Sequence, residues 1–291
     1  MTKPKLSSSQ IIQHLKISGI LFNCISEEDA ENFIENSTYF FRLASYKKNF
    51  VKNNQNKYVD LDFMCLVELS RLDKKLRHLL FQLCIDVEHM LKTKVVQTVC
   101  SISDGYAPVA EYLNINTVAL SKIQNQDTPT SYSHEMFTTY NPNFPIWVFV
   151  ELASFGAVTS FCNFLSSQYN KTILHSPLLN SVRDLRNAVA HNSCMLRNII
   201  SLGDVKPSSI LYSFASTYGI GKDARRTLTN RFVNDFVTLI YLHKHLINDS
   251  GKFSELKSFF NNDVTVNSYL FNKNTNLKRV YNFLKTIIDK I

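Results

Sequence analysis

Apolar residues recur at intervals of three and four along most of the chain, and no block shows the alternation of a half-buried strand. The clearest run starts at Asp60 or Asp62 and continues to about Cys100, with Leu66, Leu69, Leu72, Leu76, Leu79, Leu80, Leu83, Val87, Leu91 and Val95 on one stripe. That spacing predicts one long helix or two abutting ones. Ser26 followed by Glu27, Glu28 and Asp29 predicts an N-cap with an acidic first turn, opening a short helix through Phe33 and Ile34. Residues 104 to 144 are the least regular, punctuated by Gly105, Pro108, Pro129, Pro142 and Pro145. Beyond them a buried helix is expected over Ile146 to Leu165, with Pro145 suited to its first turn. More helices are expected over Leu178 to His191, Asp223 to Ile247 and Asn276 to Ile291. The pattern implies an all-α protein.

Composition narrows this further. A chain of 291 residues can bury a sizeable core as one large domain or two modest ones. Its formal net charge of +8 suggests an anionic partner, against the plainer reading of a solvated basic surface. The excess is uneven: Arg42, Lys47, Lys48, Lys52 and Lys57 fall in a stretch without an acid, and further surpluses follow Arg197 and Lys252. Six cysteines without a Cys-x-x-Cys pair point to reduced thiols, not to a zinc site or a disulfide frame. Lys3, Lys5, Gln10, Gln13 and Lys16 interrupt the first twenty residues, so no signal core is expected. Glu151 and several polar residues dilute Ile146 to Leu165, which argues against a membrane span. A cytoplasmic protein without membrane contact is the expectation.

The densest chemistry lies in Leu185-Arg186-Asn187-Ala188-Val189-Ala190-His191-Asn192. An imidazole exchanges a proton near neutrality, and a guanidinium clamps a phosphate through two parallel hydrogen bonds. On a helix Asn187 and His191 share a face, while Arg186 is offset by about 140 degrees and must curl round to join them. Arg followed by His at this distance is a weak pattern alone, because Arg71 to His78 is a second match. A helix-end pair solvating a surface is the plain alternative. Other constellations fail on geometry: His243 and His245 lie about 200 degrees apart on a helix, so neither a metal nor a cofactor is expected there. Asp60 and Asp62 are more economically helix caps, and Gly219-Ile-Gly221-Lys222 lacks the spacing of a phosphate loop.

Several blocks in order resemble the Abi family of bacterial abortive-infection proteins, of the AbiD and AbiF type. They are Tyr39-Phe40-Phe41-Arg42-Leu43-Ala44-Ser45-Tyr46, then Leu76-Arg77-His78-Leu79-Leu80 with Ile85-Asp86-Val87-Glu88, and then Ser133-His134-Glu135. Pro145-Ile146-Trp147 with Glu151 and Ser154-Phe155-Gly156, and finally Leu185 to His191, complete the set. Ser45 stands where the family pattern has glycine, and Cys194 follows the histidine where relatives often carry arginine. The resemblance covers about residues 10 to 200; no motif is matched after Val205.

The resemblance implies a helical bundle of the HEPN type with additional helices: residues 1–205 as the Abi-type domain and 206–291 as a C-terminal helical extension packed on it. It implies a metal-independent endoribonuclease serving as a toxin or antiphage effector, with His191 as general base or acid, Arg186 stabilising the phosphorane and Asn187 orienting one of them. Glu88, at the edge of an apolar stripe, would need Arg186 or Arg42 as partner, or forms an ordinary structural salt bridge. Arg42, Tyr46, Lys47, Lys48, His134 and Arg197 are RNA-binding candidates, whereas Phe40, Phe41 and Leu43 suit the core. Trp147, Glu151 and Gly156 suit structural roles, the glycine permitting close helix contact. One motif per chain implies a homodimer sharing one cleft, with RNA as substrate and a structured small RNA as inhibitor. The alternative from another class is a non-catalytic RNA-binding or assembly module on the same scaffold.

Overall fold

A computed structural model of the chain describes residues 5–247 and 250–291, so Lys3 lies outside the described residues. In chain order the helices are α1 (Ser8–Ile17), α2 (Glu27–Asn36), α3 (Phe40–Ser45), α4 (Phe63–Cys100), α5 (Ala107–Ile115), α6 (Thr117–Gln124), α7 (His134–Tyr140) and α8 (Ile146–Leu152). There follow α9 (Phe155–Gln168), α10 (Ser176–Ala190), α11 (Ser209–Thr217), α12 (Lys222–Arg225), α13 (Arg231–Leu246), α14 (Ser254–Ser258), α15 (Val264–Val266) and α16 (Thr275–Lys290). The described residues contain no strand or sheet, only isolated bridges at Leu21 with Asp62 and Lys52 with Tyr58. The fold is all-α. No helix among the described residues is long and apolar enough to cross a membrane.

Local capping explains where the helices begin. Ser26 accepts a hydrogen bond from the Asp29 amide at 3.0 Å, as its acidic first turn predicts. Asp62 caps α4: one carboxylate oxygen accepts from the Met64 amide at 2.9 Å and the other from the Asn23 amide at 2.8 Å. From there α4 runs 38 residues as one helix, its stripe from Leu66 to Val99 largely buried. Expected boundaries fail where a polar residue caps mid-run. The helix foreseen over Ile146 to Leu165 is two, because Ala153 is extended and Ser154 caps α9 by accepting from the Ala157 amide. The helix foreseen over Asp223 to Ile247 breaks likewise at Asn230, whose side chain accepts from the Val233 amide at 3.1 Å. Residues 104 to 144, expected to be irregular, hold α5, with Pro108 in its first turn, and α6 and α7 on either side of Pro129.

The chain divides into two compact units, each assembled from separated segments. Unit 1 comprises residues 1–81, 188–237 and 250–291; unit 2 comprises 82–187 and 238–249. Within unit 1 the C-terminal segment packs on the N-terminal one. The Asn274 side-chain Nδ2 donates to the Asn49 carbonyl at 2.8 Å, Lys273 pairs with Asp60 at 2.7 Å, and Arg71 reaches the Asp263 carbonyl at 2.8 Å. Unit 2 is centred on an aromatic cluster in which Tyr112 meets Phe149, Phe161 and Phe164 edge-on. Buried Tyr112 satisfies its hydroxyl on the Ala157 carbonyl at 3.2 Å. Gly105, at φ +94°, is required: a Cβ there would lie 2.8 Å from the Trp147 ring. Gly156 is different. Its nearest neighbours would be an ordinary 3.8 and 3.9 Å from a Cβ, so the expected close helix contact does not need glycine.

Candidate functional site

Helix α10 carries the central motif, and its strong amphipathicity orients it: Leu178, Leu179, Val182 and Leu185 are buried while Arg186 and Asn187 are half-buried. In unit 2 the Arg186 Nε donates to Glu88 Oε2 at 2.8 Å, and Lys92 lies 3.7 Å from the other Glu88 oxygen. Of the two partners open to Glu88, the fold selects Arg186. The contact holds one edge of a planar fork that has five N–H donors. No other hydrogen bond from Arg186 is made among the described residues, nor any from the Asn187 side chain, so both have donors to spend on a ligand. Beside them, burial pushes the Cys84 thiol well above its usual range, with Arg186 lowering it and Glu88 raising it by charge. Cys84 is accordingly packing, not a nucleophile.

His191 follows the last residue of α10 and belongs to unit 1. Asn192 takes the left-handed conformation at φ +58°, its amide donating to the Val189 carbonyl at 3.2 Å, and the Ser193 amide donates to Ala188 at 2.9 Å. These two bonds form a Schellman termination, for which asparagine is the usual substitute for glycine. His191 is thereby left exposed at the cap, with no ion pair or hydrogen bond among the described residues. The turn is pinned from outside. Arg42 Nη1 donates to the Asn192 carbonyl at 2.7 Å, and Arg42 Nη2 lies 3.5 Å from Asp73. Fully buried Asp73 also accepts from Arg77 and from the Leu196 amide at 2.7 Å. Asn49 completes the brace, donating to the Leu196 carbonyl at 2.8 Å and accepting from the Ile199 amide at 2.9 Å.

Within unit 1, Asn192 also lines an open cleft of about 750 Å³. Arg71, Lys74, Arg77 and His78 of α4 line it together with Tyr39 and Arg42. Lys74 and His78 are exposed, and Tyr39 presents 64% of its surface. Part of the charge is compensated, because Arg71 pairs with Glu68 at 2.6 Å and Arg77 with Asp73. The lining itself contains no carboxylate. An exposed aromatic in the same cleft as the unpaired Lys74 suits a base stacked near its phosphate.

A family model described as Abi-like protein matches residues 32–197, which takes in Arg42, Asp73, Glu88, Arg186 and His191. The chain belongs to the Abi-like protein family. No curated protein matches the chain. No solved structure matches it either.

The remaining candidates of this Abi-like chain fall into different settings. Tyr46 is fully buried, so its ring cannot stack on a base; it belongs to the core under the Asp73 network. Burial first, and then the Asp73 charge, hold its hydroxyl far above the usual phenol range. Phe41 errs the other way, standing 83% exposed where a core residue was expected. Arg42 lines the cleft, but two of its donors serve the protein. Lys47 lies over the rings of Phe40 and Tyr58, while Lys48 and Arg197 are exposed. His134 of unit 2 sits 3.7 Å from Asp127. Trp147 packs edge-on against Tyr106, and Glu151 is exposed. Asp73, Lys74 and Arg77 were not foreseen. Arg71, Lys74, Arg77 and His78 recur three and four apart, and that stripe was the available signal.

Proposed function

We propose that this Abi-like chain is a metal-independent endoribonuclease of the HEPN type, acting as a toxin or antiphage effector in abortive infection. The carrying observation is the placement of the motif: an exposed His191 held at a braced helix end, whose next residue lines a cationic cleft. In the reaction His191 takes the proton of the RNA 2′-hydroxyl, whose oxygen attacks the adjacent phosphorus. The bond to the 5′-oxygen breaks, and that oxygen takes up a proton. Arg186 neutralises the developing phosphorane, its fork oriented by Glu88, with Asn187 as a further donor. The products are a 2′,3′-cyclic phosphate and a 5′-hydroxyl. DNA is excluded because it has no 2′-hydroxyl. Two copies related by a twofold axis would supply two motifs to one active cleft, and a structured small RNA lying across that cleft would inhibit it.

The test is cleavage of generic RNA in excess EDTA by the wild type, Arg186→Ala and His191→Ala, with mass in solution measured in parallel. Wild-type cleavage lost in both variants, with helical content kept, supports the reading. RNA binding without cleavage by the wild type would instead favour the non-catalytic RNA-binding or assembly module. Full activity of a monomer would remove the shared cleft.

A further inference from the structure

Outside the family match, and within unit 1, lies a second cationic cleft of about 920 Å³, walled by α11, α12 and α16. Four cations line it, Lys222, Arg225, Arg226 and Arg279, against one carboxylate, Asp223. None of the four forms an ion pair with a described residue. This differs from ordinary surface arginines, because three polar atoms here are buried without any hydrogen-bond partner: the Nε of Arg225, the Nε of Arg279 and the hydroxyl of Thr227. The two guanidinium heads are held nearby by weak or single contacts, Arg225 Nη1 to the Ser216 hydroxyl at 2.7 Å and the Tyr212 carbonyl at 3.4 Å, and Arg279 Nη2 to the Ile200 carbonyl at 3.4 Å.

A buried guanidinium edge with no acceptor is costly, since the N–H loses water and gains nothing. Two residues with such an edge line one cleft with Thr227 and an excess of positive charge, and what that set lacks is an anion with several acceptor oxygens. Carboxylates are single forks, whereas a phosphate offers oxygens to two guanidinium groups at once. Tyr212 and Leu202 add a flat and an apolar wall of the kind that accepts a nucleobase. We propose that this cleft is a phosphate-binding site for a nucleotide, separate from the Arg186 and His191 motif. The phosphate could come from a free nucleotide or from an RNA strand. The proposal stands without the nuclease reading.

The experiment uses the full chain in EDTA and three probes: inorganic pyrophosphate, ATP, and a 5′-phosphorylated ten-nucleotide RNA with every 2′-hydroxyl methylated so that it cannot be cleaved. Saturating pyrophosphate is expected to raise the melting temperature by about two to five degrees. The shift should vanish in Arg225→Gln and Arg279→Gln and persist in Arg186→Ala. Lys222→Gln with Arg226→Gln touches exposed side chains only, so it keeps the test open if the buried variants unfold; it should weaken RNA binding and lower the salt slope by roughly two. ATP bound more tightly than the RNA identifies a free nucleotide as the source, and the reverse order identifies a strand. Absence of any shift or binding with all three probes overturns the site. So does binding that is unchanged in both the arginine variants and the double variant.

Discussion

Replacing Asp73 by alanine is the sharpest test of how the His191 turn is held. The carboxylate is fully buried and shared by the Arg42 and Arg77 guanidinium groups and the Leu196 amide. Those arginine side chains are only 10% and 7% exposed, so little of either charge is hydrated once the acid is gone. Breaking a buried pair by deleting one partner costs about 3–5 kcal/mol, most of it from the stranded charge. For a chain of this size that lowers the melting temperature by roughly 6–20 °C. Asp73→Asn keeps an acceptor for the Leu196 amide but not the charge, and should lose about half as much. Asp73→Ala combined with Arg77→Met should be less destabilised than Asp73→Ala alone, because charge and countercharge leave together. Urea unfolding followed by circular dichroism measures all three. An Asp73→Ala protein within about 1 kcal/mol of wild type would refute the brace, as would a double variant that simply adds the two losses.

Glu88→Gln keeps the shape but weakens the hold on Arg186, so single-turnover RNA cleavage should fall by about ten- to a hundredfold with KM little changed; an unaltered rate would make the pair purely structural. Gly105→Ala should cost about 1–3 kcal/mol through its positive φ and the Trp147 ring, while Gly156→Ala should stay within about 0.5 kcal/mol, both read by thermal unfolding. Among the thiols, burial pushes Cys65 up to about 11 and Cys162 up to about 12, so neither should react with iodoacetamide in the native protein at pH 8, while exposed Cys100 should. The same shifts set a pH dependence. Their raised values favour the native state below the ordinary thiol value of 9.0, and that advantage is lost as pH rises towards 11 and 12, so the urea midpoint should fall across this window. A midpoint that rises there would contradict the assignment.

What was legible in the sequence is what depends on near neighbours. Ser26 and Asp62 announce their caps because donor and acceptor are two or three residues apart. The stripe of α4 is visible for the same reason, and so is the order of motif blocks ending at His191. Ser154 and Asn230 misled because a capping side chain inside an apolar run looks like any other polar residue until the chain bends there. Of the Asp73 network only Arg77 lies four residues away on the same helix; Arg42, Leu196 and Asn192 join it across long sequence separations, and no local pattern encodes that meeting. Tyr46 and Phe41 exchanged expected environments because a six-residue helix cannot declare its buried face by periodicity. The cationic stripe on α4 was legible, but Arg71 and His78 look like a chance match until the cleft shows what Lys74 and Arg77 line with them.

The interleaving of unit 1 has a consequence for biosynthesis. Leu69, Leu72 and Leu76 of α4 face Phe259, Phe260 and Leu284 across a single apolar cavity, and Asn49 awaits Asn274. About 170 residues separate the end of the first segment from the start of the last, and at ribosomal rates of 5–20 residues per second the wait is on the order of ten to thirty seconds. For that interval the emerging chain carries a greasy stripe with no cover, a natural substrate for holding chaperones. The cleft lined by Arg225 and Arg279 forms only once α16 has been made, whereas every residue lining the Lys74 cleft is already present by Asn192. Synthesis of α16 is therefore the step that covers the stripe and supplies the Arg279 wall of the second cleft.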